Sequence, residues 1–197
     1  MKPNNEYTLY QMLEKYGGKR AWLRAHASRL MDSLGFLPPG PPKFKFAEFR
    51  RLVFVCQGNI CRSPYGEARA CQLGILSASF GLNADTGREA NLSATRIAKQ
   101  RGLTLDSHRA KHLSKFSFET GDLVLTFEPQ QLAQLTSSGV LPDGVVADLL
   151  GRWCSPTFPY LHDPYGLSDT YFTACFDRID QALTHLIPFI PSAFLPR

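Results

Sequence analysis

A chain of 197 residues with 44% hydrophobic and 20% charged residues can bury a real core, as one domain or one domain plus an appendage. No apolar run approaches the roughly eighteen residues of a membrane span, and charges recur before any apolar stretch that a secretory signal would need. Five cysteines without framework spacing point to a reducing, cytoplasmic setting, and the net charge of +5 is uneven: residues 1–50 carry nine Lys/Arg against four Asp/Glu, while the rest balances.

In chain order, residues 7–34 read as two helices. Leu9, Met12, Leu13 and Tyr16 share one helical face, and Gly17-Gly18 breaks the pattern. Leu23, Ala27, Leu30, Met31 and Leu34 form a second apolar stripe, with Lys19, Arg20, Arg24 and Arg29 on other faces. Pro38-Pro39-Gly40-Pro41-Pro42 is a stiff, extended spacer. The expected division is a basic helical extension at 1–37, a proline-rich linker at 38–49 and the main domain at 50–197. Without interleaved aromatics, the basic face is expected to be solvated rather than bound to nucleic acid. The chemistry of the main domain is expected not to depend on it.

Residues 51–56 form a short β-branched and aromatic run, read as a buried strand. A loop follows with Gly58 and Asn59 at its centre, the two residue types that best tolerate φ > 0. Ser63-Pro64 then reads as a helix start, a side-chain cap before a residue that needs no donor. Strand, loop and helix N-terminus make an anion cradle, because the N–H groups of Gln57, Gly58, Asn59, Ile60, Cys61, Arg62 and Ser63 can converge on one point. Cys56 at the strand end and Arg62 at the loop end place a nucleophile and a bidentate clamp beside one concavity. The positive field that holds an anion there also favours a thiolate over a thiol. Cys56 and Cys61 are not spaced as C-x-x-C and no His or Cys cluster lies near them, so neither a metal nor another cofactor is expected.

Downstream, helices are expected over 63–76, 91–101, 128–136 and 170–187, and strands over 78–80, 122–127 and 145–149. In the last helix Phe172, Phe176, Ile179, Leu183 and Leu186 fall roughly on one face. Alternation of this kind means an α/β fold: a parallel four-stranded sheet with helices on both faces, plus the N-terminal helical extension. Ligands of such sheets sit outside the carboxyl ends of the strands, where Cys56 lies. Asp163 before proline is by itself a turn former, and His162 has no evident partner and reads as a surface residue.

Val55-Cys56-Gln57-Gly58-Asn59-Ile60-Cys61-Arg62-Ser63-Pro64 resembles the signature of the low-molecular-weight protein tyrosine phosphatases. Asp163-Pro164-Tyr165 resembles that family's general-acid loop, and the resemblance spans about residues 50–188. It implies hydrolysis of protein phosphotyrosine through a cysteinyl-phosphate, with Cys56 as nucleophile, Arg62 as phosphate clamp and Asp163 as general acid. Ser63 would donate to the thiolate. Ser79 (in Ser-x-Gly) and His108 (in Asp-Ser-His-Arg-Ala) would support a strained Asn59, and Tyr165 would wall the cleft. Cys61 has two open readings, packing or a protective disulfide with Cys56. The partner implied is a tyrosine-phosphorylated protein. The loop of residues 82–88 is close in length to that of bacterial members acting on kinases of polysaccharide export, so a bacterial tyrosine kinase is the candidate.

The chain also departs from the family pattern. Gly166 stands where a second aromatic often follows the tyrosine, residues 82–88 hold no aromatic, and Phe127-Glu128 replaces Met-Asp. The rival readings are an arsenate reductase, a phosphoarginine phosphatase and a catalytically silent phosphate-binding module. No cysteine between Cys71 and Cys154 is available to relay a disulfide for the first. Ile60 rather than Thr disfavours the second.

Overall fold

The computed structural model describes residues 10, 13–41 and 48–190; Leu9 and Met12 of the first stripe lie outside them. Residues 13–16 are helical, and Gly17 and Gly18, at φ 80° and 132°, make the break that an L-residue would resist. Helix α1, Lys19–Ser33, follows.

Strand β1, Arg51–Cys56, is the centre of the molecule. It pairs in parallel with β2, Ser77–Gly81, on one side and with β3, Asp122–Thr126, on the other. Strand β4, Val146–Leu149, extends β3, giving a four-stranded parallel sheet of order β2-β1-β3-β4. Alternation along β1 sends Leu52, Phe54 and Cys56 into one hydrophobic cluster and Val53 and Val55 into the other. Both faces are covered, so the strand reads as a continuous apolar run. Each such side chain contributes about 1.5–3 kcal/mol on burial.

The helices are α2 (Arg62–Gln72), α3 (Leu92–Gln100), α4 (Pro129–Ser137) and α5 (Asp169–Leu186). Their boundaries follow local chemistry. Asn91 caps α3 by accepting from the N–H groups of Ser93 and Ala94, and Ser168 caps α5 by accepting from that of Tyr171. Helices α2, α3 and α5 pack against the first face, and α4 supplies Leu135 to the second. Tyr65 of α2 stacks on Phe176 of α5 at 3.7 Å and donates its hydroxyl to Asp180. That tie fixes the helix that carries Arg62. Among the described residues no helix is long and apolar enough to cross a membrane.

Helix α1 docks on the main domain by a face other than the expected stripe. Ala21 and Ala25 are buried against Tyr160, whereas Leu23, Leu30 and Leu34 are 62, 60 and 61% exposed. Two small residues one turn apart let the helix backbone approach an aromatic ring that the bulkier leucines would hold off. The far end is clamped by Arg152, which donates to Asp32 Oδ1 at 2.6 Å, to the Pro38 carbonyl at 2.6 Å and to Asp148 Oδ1 at 2.6 Å. On the near side Tyr16 packs on Phe158, with ring centroids 5.5 Å apart.

Candidate active site

The loop after β1 is built so that its carbonyls turn away from the concavity. The carbonyl oxygens of Cys56, Gln57 and Ile60 accept from the backbone N–H groups of Leu82, Asn83 and Asn91 at 3.0, 2.9 and 2.8 Å. The Asn59 carbonyl lies 2.7 Å from His108 Nε2. A trans peptide opposes C=O to the next N–H, so the N–H groups of Gln57, Gly58, Ile60 and Cys61 are directed the other way. Four donors turned to one side by outward bonds on the other make a nest. Gly81 permits it: a Cβ there would lie 2.8 Å from the Asn59 nitrogen and the Gln57 oxygen.

Asn59 has φ 52°, the one positive φ at a non-glycine among the described residues. Its side chain holds that conformation by donating to Ser63 Oγ at 2.9 Å and Ser79 Oγ at 2.8 Å, and by accepting from the Lys111 N–H at 2.8 Å. Ser79 in turn donates to the Glu67 carboxylate. Because Ser63 Oγ already accepts from Asn59, its own proton is free for Cys56 Sγ, 3.0 Å away. Ser79 and His108 thus both reach Asn59, the serine at its side chain and the histidine at its backbone. Of the two residues at the loop centre, Asn59 and not Gly58 takes the positive φ. One expectation is corrected. Ser63 is not the cap of α2, which begins one residue earlier at Arg62 after Cys61 and has no side-chain cap; the Ser63 hydroxyl is committed to the thiol instead.

Arg62 is fully buried and donates Nη1 to Glu128 Oε1 at 2.6 Å and to the Leu161 carbonyl at 2.7 Å. Nη2 stands 2.9 Å from Asp163 Oδ2. That contact is close enough for an ion pair but poorly angled for a hydrogen bond, and Nε and Nη2 have no hydrogen-bond acceptor. Burial works against the charge of Arg62, but Asp163, Glu128 and Cys56 outweigh it and push its pKa further up. A buried guanidinium with two uncommitted nitrogens is suited to a tetrahedral oxyanion.

Cys61 is also buried. Burial first, then Asp163 and Cys56, pushes its thiol pKa up, which favours the packing reading in the resting protein.

Cys56, Gln57, Ile60, Arg88, Asp163 and Tyr165 line a cleft of about 280 Å³. Strand end, loop and the 160–165 segment therefore bring Cys56, Arg62, Asp163 and Tyr165 together, although more than a hundred residues separate the first from the last. Tyr165 is exposed at the mouth, where a ring can stack on an aromatic ligand. The facing wall carries Arg88, a cation in place of an aromatic.

Sequence reasoning saw Glu128 only as a departure from the family pattern and missed Glu67; each contacts a motif residue, Arg62 and Ser79 respectively. It also misread His162, whose Nδ1 lies 2.9 Å from Tyr160 Oη and whose carbonyl accepts from Tyr171 Oη at 3.1 Å. Contacts of that kind carry no spacing signal.

Residues 51–193 match the family model described as low molecular weight phosphotyrosine protein phosphatase. The low molecular weight protein-tyrosine-phosphatase Wzb of Salmonella typhimurium is 32% identical over 136 residues, covering 68% of this chain and 89% of that protein. The crystal structure of the tyrosine phosphatase Wzb from Escherichia coli K30, in complex with sulphate, superposes with a TM-score of 0.59 at 30% identity, covering 69% of this chain and 94% of that one. The YwlE arginine phosphatase from Geobacillus stearothermophilus superposes equally, with a TM-score of 0.59 at 25% identity over 71% of this chain and 91% of that one. The loop that turns its donors inward around Cys56 and Arg62 thus lies within the matched region, and the chain belongs to the low molecular weight phosphotyrosine protein phosphatase family.

Proposed function

We propose that this chain hydrolyses phosphotyrosine on protein in two steps, with Cys56 as nucleophile and Asp163 as general acid and then base. A phosphate dianion enters the nest and takes Arg62 Nε and Nη2, and Asp163, freed from its ion pair, takes up the proton that the Cys56 thiol gives up. The Cys56 thiolate attacks phosphorus in line. The bond from phosphorus to the tyrosine oxygen breaks, and the proton of the Asp163 carboxyl passes to that leaving oxygen. Water then attacks the cysteinyl-phosphate, giving its proton to Asp163 as the S–P bond breaks and the thiolate returns to its contact with Ser63. The nest amides and Arg62 face the equatorial oxygens throughout, where charge is greatest. A positioned acid contributes about 10²–10⁴-fold.

The observation that carries this reading is the fully buried Arg62 with Nε and Nη2 uncommitted beside Cys56 Sγ and Asp163. Tyr165 and the half-open cleft suit an aryl phosphate, and Arg88 suits acidic flanking sequence. A cytoplasmic tyrosine-phosphorylated protein, such as a bacterial tyrosine kinase, is the partner that fits. Turnover of phosphotyrosine, phosphoserine and phosphoarginine peptides and of arsenate by the purified protein tests it. Phosphotyrosine should be preferred by a wide margin. Faster release of phosphate from phosphoarginine, or reduction of arsenate, would overturn the assignment.

A further inference from the structure

We infer that the N-terminal extension is a positioning element for the general acid, holding the Asp163 loop through Gly17, Arg24, Tyr160 and His162. This rests on the reading of Asp163 as the acid. The loop at 160–164 has no regular secondary structure, so side chains and isolated backbone bonds must fix it. Leu161 is held within the main domain, its N–H donating to the Phe127 carbonyl at 2.7 Å and its carbonyl accepting from Arg62. His162, the residue next to the acid, is held by Tyr160 and Tyr171, and the extension closes on it from the other side.

Its imidazole is flanked by Tyr160 and Tyr171, with ring centroids 5.9 and 6.2 Å away. Gly17 covers it. A Cβ on Gly17 would lie 2.9 Å from His162 Cδ2, 2.8 Å from Leu167 Cδ1 and 3.0 Å from Tyr171 Cε1, so the extension backbone touches both sides of the acid loop. Tyr160 is packed against Ala21 and Ala25 of α1, and its hydroxyl accepts from Arg24 Nη1 at 3.4 Å.

A guanidinium only donates, so Tyr160 Oη accepts from Arg24 and keeps its own proton free for His162 Nδ1, 2.9 Å away. The relay Arg24, Tyr160, His162 therefore orients the side chain one residue before Asp163 from a helix that lies wholly before residue 51, where the family match begins.

The consequence falls on proton transfer and not on phosphate binding. The nest is set by Asn59 and its partners, and no bond from the described residues of the extension reaches them. The acid must come within about 2.6–3.2 Å of the leaving oxygen, and a shift of about 1 Å can lower the rate of that step by about a hundredfold.

The test is the dependence of kcat/KM on leaving-group acidity, measured for full-length Tyr160→Phe and Arg24→Ala across a series of aryl phosphates, with Asp163→Asn beside them. Tyr160→Phe keeps the packed ring and removes only the hydroxyl. Arg24→Ala removes the outer donor from an exposed position. Both variants should lose about tenfold on phosphates with poor leaving groups, little on the most activated ones, and nothing in the inhibition constant of inorganic phosphate. Wild-type slopes in both variants, beside a steepened slope in Asp163→Asn, overturn the inference and leave the acid in place. A wild-type slope in Asp163→Asn overturns the acid assignment itself, and the inference with it. A uniform loss across the series, or weaker phosphate inhibition, shows a merely structural role and also overturns it.

Discussion

At the scale of residues, the site concentrates its constraints on three side chains. Cys56 is defined by position, at the end of the central strand with the Ser63 hydroxyl 3.0 Å away. Cys56→Ser should abolish turnover and retain vanadate and phosphate binding, because the nest does not draw on the sulfur. Equilibrium binding of vanadate beside a turnover assay checks this, and substantial residual turnover contradicts it. Asn59 combines a strained φ with bonds to Ser63, Ser79 and Lys111. Asn59→Ala keeps the strain and loses the bonds, while Asn59→Gly removes the strain as well. Each lost buried partner costs about 1–3 kcal/mol. Phosphate inhibition should weaken by about tenfold in the alanine variant and less in the glycine variant; equal effects would show that strain does not matter. Arg62 is the third, and its pairing with Glu128 explains how Glu can stand where the family more often has Asp. The longer side chain still reaches Nη1 at 2.6 Å.

Among the elements, those with period or punctuation were legible. The apolar run of β1, the Asn91 cap and the face of α5 each state their structure locally, and the observed bounds differ from the expected ones by only a few residues. The nest was legible because its spacing is short and its residue types are specific. The acid loop was legible only as a motif. What holds it comes from elements distant in sequence, and His162 read as a surface residue because its partners stand in a helix and a loop without shared spacing. The face of α1 was misread for a related reason: hydrophobic periodicity marks what can be buried, and here close approach through Ala21 and Ala25 decided the packing. Burial has a consequence for pH. It pushes the His162 pKa below the ordinary 6.5, with the nearby charges in partial opposition. The unfolded chain therefore binds this proton more readily, so the stability His162 contributes is full above about pH 6.5 and lost as the pH falls toward its folded-state pKa. The drop in unfolding temperature between about pH 7 and pH 5 should shrink in His162→Gln. An undiminished drop would show that other groups carry the acid sensitivity.

For the whole molecule, the extension expected to be separable from the chemistry is packed on the main domain. Arg152 ties Asp32 and Pro38 to Asp148, and Gly17 and Arg24 reach the acid loop, so the extension is joined to the catalytic unit at both ends of α1. It also carries the excess charge. Lys19 and Arg20 are exposed and, with Arg24 and His162, border a cavity of about 410 Å³ on the acid-loop side of the molecule. An acidic phosphotyrosine peptide should therefore lose kcat/KM with rising salt more steeply than a small aryl phosphate, since screening acts over about 10 Å at 0.1 M. Lys19→Glu with Arg20→Glu should remove that difference. Identical salt dependence for peptide and small substrate in the unaltered protein would show that the basic extension does not meet the substrate. The central claim is that phosphate passes through Cys56. Rapid quenching of the protein with a phosphotyrosine peptide, followed by mass spectrometry of its own peptides, tests this most directly. The account predicts a phosphoryl group on the peptide bearing Cys56, appearing with release of the dephosphorylated substrate peptide and decaying with release of phosphate. Phosphate release at the full rate with no adduct on Cys56, or with the adduct on another residue, would contradict it.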